Sequence, residues 1–329
     1  MTSVSPRRVF RFAPSPNGLL HLGHAYSAAL NHDAARACGG RFLVRIEDID
    51  RARCTPALEA RLLGDLEWLG LSPDEPPRRQ SEHFADYEAA LRQLREAGLA
   101  YPAFMTRGEV KSFAALHETR EGRPWPRDPD GAPLYPGLDR DLAPDERQAR
   151  IAGGEPFAWR LDMEAALQRV DAPLRFKETG GGRDEEIVAD PALWGDVVLA
   201  RRDLPTSYHL AVTVDDALQG VSDVVRGRDL LASTAVHRLL QALLGLPVPR
   251  YHHHPLVLGE DGRKLSKSEG AASVRALGEA GLTPADIRQR LGLPVQAPVM
   301  KAIQPVSVTA ATTVDTTMTL ADSPSPVRK

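Results

Sequence analysis

The order of apolar and polar positions predicts an alternation of strands and helices over the first hundred residues. Val9 to Ala13 is a short apolar run that reads as a strand, and Pro14, Pro16, Asn17 and Gly18 then force a turn. From His21 to Ala37 apolar positions recur at helical spacing until Gly39-Gly40 ends the helix. Phe42 to Ile46 reads as a second strand. Thr55 as N-cap and Pro56 at the first helical position start a helix to about Leu69. Ser81 starts another, ending near Gly98. Strand, helix, strand, helix at this spacing predicts an α/β domain with a parallel sheet.

After Tyr101 the periodicity loosens. Residues 101–155 are rich in Pro, Gly and charge, and Phe157–Leu161 and Asp196–Ala200 read as strands around a Gly180-Gly181-Gly182 excursion. Strand-like segments resume at Leu210–Val214 and Val221–Val225, and Asp229–Leu244 is a strongly apolar helix. Short helices are expected at about Ala272–Ala280 and Pro284–Leu291. This predicts a first half of an α/β domain over 1–100, an inserted smaller subdomain over 101–192 and the second half over 193–260. A polar loop with short helices follows over 261–294, then an aperiodic Thr, Ala, Val, Pro and Ser tail over 295–329, expected to be disordered.

Composition narrows the class without naming a chemistry. The chain has 329 residues, 42% hydrophobic and 26% charged, as in ordinary globular proteins. No apolar run reaches membrane-spanning length, and Met1 to Arg11 lacks the apolar stretch of a secretory signal. Cys38 and Cys54 are the only cysteines and lack metal-ligand spacing, so a reduced, cytoplasmic protein is expected. A net charge of −3 does not advertise nucleic-acid binding.

Two motifs carry chemistry. His21-Leu22-Gly23-His24 opens a helix, where free N–H groups and the positive dipole end suit phosphate. His21 and His24 share one face of the first turn and can donate to phosphate oxygens, and Gly23 removes a side chain where adenosine must approach. Lys264-Leu265-Ser266-Lys267-Ser268 lies in a polar loop after Gly262. Alone it reads as a solvated basic loop. Paired with the histidines, Lys264 and Lys267 are mobile charges suited to following a phosphate through a transition state. Together the motifs predict cleavage of ATP between its α- and β-phosphates.

Arg11-Phe12-Ala13-Pro14-Ser15-Pro16-Asn17-Gly18, the histidine motif, Arg45-Ile46-Glu47-Asp48-Ile49-Asp50, Val225-Arg226-Gly227-Arg228-Asp229-Leu230 and the lysine loop together resemble the catalytic domain of class I glutamyl-tRNA synthetases, over about residues 8–294. The resemblance implies a Rossmann-like parallel sheet with an inserted smaller subdomain and a short helical C-terminal extension. It implies a glutamate pocket at Arg11, Phe12, Ala13, Pro14, Ser15, Glu47, Tyr208 and Arg226, with ATP held by His21, Gly23, His24 and Lys267. Glutamate has two carboxylates and one ammonium. Arg11 and Arg226 can each clasp a carboxylate, Glu47 can take the ammonium and Tyr208 can hydrogen-bond the substrate. Which arginine takes which carboxylate stays open. Without the family, Glu47 reads as a surface ion pair with Arg45, Arg51 or Arg53. Asp215-Asp216 read as a helix or turn cap, with a functional pair as the alternative.

After Ser268 only 61 residues follow, too few for the anticodon-reading domain of a full glutamyl-tRNA synthetase. The architecture is similar to the truncated branch, the glutamyl-Q tRNA(Asp) synthetases. That branch implies L-glutamate, ATP with Mg2+ and queuosine-containing tRNA(Asp) as partners, and a monomer. The alternatives are a truncated enzyme charging a tRNA 3′ end or a non-catalytic binding protein. Many members of the family hold zinc in the insertion through cysteines and a tyrosine. Here Ala103, Met105 and Asp139 stand where thiolates would be and only Tyr135 remains, so zinc is expected to be absent, as is a metal at His252-His253-His254.

Overall fold

The computed structural model describes residues 7–182, 184–259, 272–295 and 320–321. The chain begins β1 (Val9–Phe12), α1 (Leu22–Ala37), β2 (Arg41–Ile46), α2 (Pro56–Trp68), β3 (Arg78–Arg79) and α3 (Phe84–Glu96). It continues through β4 (Ala100–Ala103), α4 (Arg107–Glu121), α5 (Pro144–Ala152), β5 (Ala158–Leu161) and α6 (Met163–Gln168). Then follow β6 (Arg175–Glu178), β7 (Glu185–Val188), β8 (Val198–Arg201), α7 (Tyr208–Leu218), β9 (Asp223–Gly227) and α8 (Thr234–Leu244). The last elements are β10 (Arg250–His254), β11 (Leu256–Val257), α9 (Val274–Glu279), α10 (Pro284–Arg290) and β12 (Leu320–Ala321).

The main sheet has the order β3-β2-β1-β9-β10-β6-β7, parallel except for the β6–β7 hairpin. A separate antiparallel sheet, β4-β5-β8, carries α4 and α5 between its first two strands. Residues 101–192 thus do not stay together: Arg175–Val188 join the main sheet, while Val198–Arg201 belong to the small one. On one face of the main sheet, Phe10, Phe12, Phe42, Val44 and Ile46 pack with α1, α2, Val274 and Ile287. On the other lie Val9, Leu43, Val224 and Tyr251, covered by α7 and α8 with α3 packed beside them.

Leu210–Val214 is helical rather than extended. The β-branched run looks like a strand, but all of Leu210 to Asp216 is buried, and a helix buried all round has no amphipathic period to betray it. Ser207 caps it by accepting from the Leu210 N–H. The expected tail falls largely outside the described residues, although Leu320–Ala321 pair antiparallel with β11.

Asp215 is a buried node of this layer. Its carboxylate accepts from Arg78 Nε at 2.8 Å, Gln80 Nε2 at 2.9 Å and Tyr87 Oη at 2.8 Å, tying α7 to β3 and α3. Arg45 Nε lies 3.8 Å away. Removing this carboxylate leaves Gln80 and Tyr87 without their buried acceptor and takes one counter-charge from Arg78, which keeps Asp86, and from Arg45, which keeps Asp216 and Glu47. Asp215→Ala should therefore lower the unfolding free energy by about 3–5 kcal/mol in urea denaturation, and a loss of less than about 1 kcal/mol would refute a structural role for the node.

Candidate active site

The strand order reverses between β1 and β9, each of which has later-numbered neighbours on opposite sides. In an open parallel sheet, the crevice beyond the carboxyl ends of such strands is the ligand site. Residues two apart on a strand share a face. On one face the pairs run Val9 and Arg11, Leu43 and Arg45, Val224 and Arg226, Tyr251 and His253. Each strand is apolar on entering the sheet and polar at its carboxyl end. The covering helices supply complementary groups there: Tyr208, Asp215 and Asp216 from α7, Thr234 and His237 from α8.

Arg11, Arg45 and Arg226 are all buried. Asp216 Oδ1 accepts from Arg11 Nε at 3.0 Å and from Arg45 Nη1 at 2.7 Å. Burial alone would raise the Asp216 carboxyl, yet the two guanidiniums hold it below its ordinary range. Arg45 Nη2 lies 3.3 Å from Glu47 Oε1, so the anticipated Arg45–Glu47 pair exists, but in the interior rather than on the surface. Burial pushes the Glu47 carboxyl up, opposed by Arg45 and Arg11, so a ligand ammonium beside it would stabilise its charge. Glu47 N–H donates to Pro14 carbonyl at 3.0 Å, clamping the end of β2 against the turn after β1 that carries Phe12, Ala13, Pro14 and Ser15. Ser15 Oγ is 3.5 Å from the buried Cys54 thiol. Asp215-Asp216 are not caps. Asp48 is held by Ser81, through its N–H at 2.8 Å and its hydroxyl at 2.6 Å, and Asp50 pairs locally with Arg53 at 2.6 Å.

Arg226 is the most heavily bound cation. Nε donates to His253 Nε2 at 3.1 Å, Nη1 to His237 Nδ1 at 3.2 Å and to Tyr208 Oη at 3.4 Å. Nη2 donates to Leu230 carbonyl at 3.1 Å and Thr234 Oγ1 at 2.7 Å. Five N–H groups meet five protein acceptors, so a bidentate clasp would require one bond to be exchanged. Arg11 differs: only its Nε is engaged among the described residues. His253, at which the sequence led only to the expectation of no metal, thus joins the site through Arg226. Its backbone N–H donates to Glu178 Oε1 at 2.8 Å, and Nδ1 lies 2.5 Å from Glu178 Oε2.

At the other rim, His21 is the N-cap of α1. Its Nδ1 accepts from Gly23 N–H at 3.1 Å, and His24 Nδ1 accepts from His21 N–H at 3.2 Å, with ring centroids 3.8 Å apart. Both neutral rings therefore carry their proton on Nε2. A Cβ on Gly23 would sit 3.0 Å from His21 Cε1, so this glycine also makes room for the cap. No acidic residue of α1 occupies its own first turn. Lys264 and Lys267 lie outside the described residues. The described residues resume at Ala272; Ser273 bridges to His21, and Val274 N–H donates to Leu20 carbonyl at 2.8 Å.

In the insertion, the positions read as departed zinc ligands form a different staple. Asp139 accepts from Tyr135 Oη, from Phe104 N–H at 2.9 Å and pairs with Arg150 at 3.3 Å. Tyr135 Oη also accepts from Met105 N–H at 3.3 Å, and Arg160 lies over its ring at 4.1 Å. His117 packs edge-on against Trp125. One carboxylate and one phenol, both engaged, with Ala103 and Met105 beside them, do not fit a tetrahedral zinc site.

Burial, reinforced by Arg226, lowers the pKa of His209 and His253 to about 4 and that of His237 well below its ordinary value. Burial also pushes the Glu178 carboxyl up, but hydrogen bonds from His253 bring it down to about 2. The unfolded chain binds protons at these histidines near pH 6.5, whereas in the native protein His209 and His253 do so only near 4. Stability should accordingly fall as pH drops from about 6.5 to 4, with Glu178 adding to the loss below about 4.5. Thermal melting from pH 7.5 to 4.5 would show a steadily falling midpoint, and a flat profile would contradict neutral buried histidines. A second expectation is that extensively dialysed protein carries less than about 0.1 zinc per chain by elemental analysis. Stoichiometric zinc would overturn the staple.

Residues 8–297 match the model of the tRNA synthetases class I (E and Q) catalytic domain. A glutamyl-Q tRNA(Asp) synthetase from Rhodobacter capsulatus is 46% identical over 87% of this chain and 100% of its own. A glutamate–tRNA ligase from Prochlorococcus marinus is 38% identical over 83% of this chain and 55% of its own. Among solved structures, a glutamate tRNA ligase from Elizabethkingia meningosepticum in complex with its amino acid superposes with a TM-score of 0.66 at 30% identity. That superposition covers 84% of this chain and 54% of that one, so the chain spans about half the length of that enzyme. With a switch-point crevice of this chemistry and a match over almost the whole described chain, the protein belongs to the class I tRNA synthetases of the glutamate and glutamine branch.

Proposed function

We propose that this protein activates L-glutamate with ATP and transfers the glutamyl group to the queuosine base at the wobble position of tRNA(Asp). The observation that carries the reading is one crevice with an anion-binding helix end on one rim and a cation, anion, cation pocket on the other. In the first step a glutamate carboxylate oxygen attacks the α-phosphorus, the bond to the β-phosphate oxygen breaks, and pyrophosphate leaves. His21 and His24 would donate from Nε2 as charge spreads onto the leaving group, with the α1 N–H groups behind them. Magnesium would travel with the nucleotide on phosphate oxygens and water, consistent with a first turn that holds no carboxylate. Lys264 and Lys267 are proposed for the pyrophosphate, supported by the return of the chain beside His21.

Arg11 presents its terminal nitrogens to one glutamate carboxylate. Glu47 takes the ammonium, and Tyr208 with Arg226 Nη1 meets the remaining carboxylate. In the second step an acceptor hydroxyl attacks the glutamyl carbonyl and AMP departs. The greater identity to the glutamyl-Q synthetase than to the glutamate–tRNA ligase supports the base-borne acceptor over the tRNA 3′ end.

Labelled glutamate offered with bulk tRNA from queuine-fed and queuine-starved cells should appear only on the queuosine-containing tRNA. Equal labelling of both would point to 3′-end charging instead. Glu47→Ala should cut glutamate-dependent ATP–pyrophosphate exchange by at least about tenfold, the loss of one charge-assisted contact to the ammonium. Unchanged exchange would remove Glu47 from the pocket.

A further inference from the structure

Arginine has no acceptor, so every nitrogen it donates to must present a lone pair. This determines the protons around Arg226. His253 Nε2 accepts from Arg226 Nε, so the His253 proton sits on Nδ1, where it faces the Glu178 carboxylate at 2.5 Å. His237 Nδ1 accepts from Arg226 Nη1, so its proton sits on Nε2 and points to His209 Nδ1 at 3.2 Å. Two neutral histidines from different elements, one oriented by a carboxylate on β6, thus grip two edges of one guanidinium. Thr234 and the Leu230 carbonyl grip a third. The longest bond, at 3.4 Å, is the one to Tyr208, and it is the bond most readily exchanged for a ligand oxygen.

We infer that His253 and Glu178, together with His237, are positioning residues that hold the Arg226 guanidinium so that only its edge shared with Tyr208 is offered to substrate. The inference rests on the glutamate reading above and deepens it. A lysine could not hold this arrangement, because five acceptors surround a planar fork. Glu178 matters although it lies one strand further from the crevice. Its carboxylate selects the His253 tautomer, and without it His253 could place its proton on Nε2, against Arg226. Gly180 belongs to the same device. A Cβ there would lie 2.4 Å from the His253 carbonyl oxygen and 2.6 Å from Glu178 Oε1, so the turn after β6 can close over the pair only as glycine.

The test compares His253→Leu with His253→Gln, whose amide oxygen can replace Nε2 as acceptor, and adds Glu178→Ala. ATP–pyrophosphate exchange is measured with glutamate and ATP varied separately, alongside melting temperatures. His253→Leu should raise KM for glutamate about tenfold to a hundredfold, the cost of one charge-assisted hydrogen bond, and His253→Gln should recover most of it. KM for ATP should change less than about twofold in all three. Equal rises for glutamate and ATP, or a Gln variant no better than Leu, would overturn the inference. Histidine tautomers are read independently by 15N–1H correlation of the unsubstituted protein at pH 7.5. His253 with its proton on Nδ1 and His237 with its proton on Nε2 are expected. A proton on His253 Nε2 would overturn the bonding scheme whatever the substrate. No glutamate-dependent exchange by the unsubstituted protein would sink the glutamate reading and the substrate half of this inference, while the tautomers still judge the bonding.

Discussion

The architecture of the crevice depends on one buried carboxylate. Asp216 sits between Arg11 and Arg45, two guanidiniums placed on adjacent parallel strands. Two cations on neighbouring strands repel, and neither could be held in the interior without a counter-charge. The carboxylate comes from α7, the helix covering that face, so helix and sheet are locked by charge as well as by apolar packing. Arg45 in turn reaches Glu47. An anion on a buried helix thereby sets the relative positions of the cation and the anion that the proposed pocket uses.

The second cation, Arg226, is handled differently. Among the described residues no carboxylate touches it; its acceptors are two imidazoles, two hydroxyls and a carbonyl. Neutral acceptors leave the guanidinium with uncompensated charge, whereas Asp216 partly neutralises Arg11. Among the described residues the more available N–H groups are those of Arg11. The cost is borne by histidines kept neutral in the interior, which binds their protonation to the stability of the fold.

The insertion is held by a node of the same kind. There Asp139 gathers a phenol, a backbone N–H and a guanidinium. Such a node needs neither a reduced thiol nor a metal supply. It joins the loop after β4 to the segment that carries Tyr135, and Arg150 also lies over the Phe104 ring at 3.9 Å.

Much was legible in the chain itself. The turn after β1, the helix opened by His21 and the strand that leads into Glu47 follow from short-range grammar, while the proposed pocket residues came from the family resemblance of the motifs. What the sequence could not reveal was long-range. Asp215-Asp216 looked like a cap because an acidic pair after an apolar run usually is one, and only the covering of the sheet by α7 turns them inward. Leu210–Val214 looked extended because complete burial erases the helical period. The contacts of His253 were hidden because they need Arg226, which lies 27 residues away, and Glu178, which lies 75 away. By itself the sequence determined which elements form and which chemistry they can bear. Tertiary structure alone decided which buried charges face one another, because that pairing follows from strand order and helix docking rather than from any neighbour in the chain.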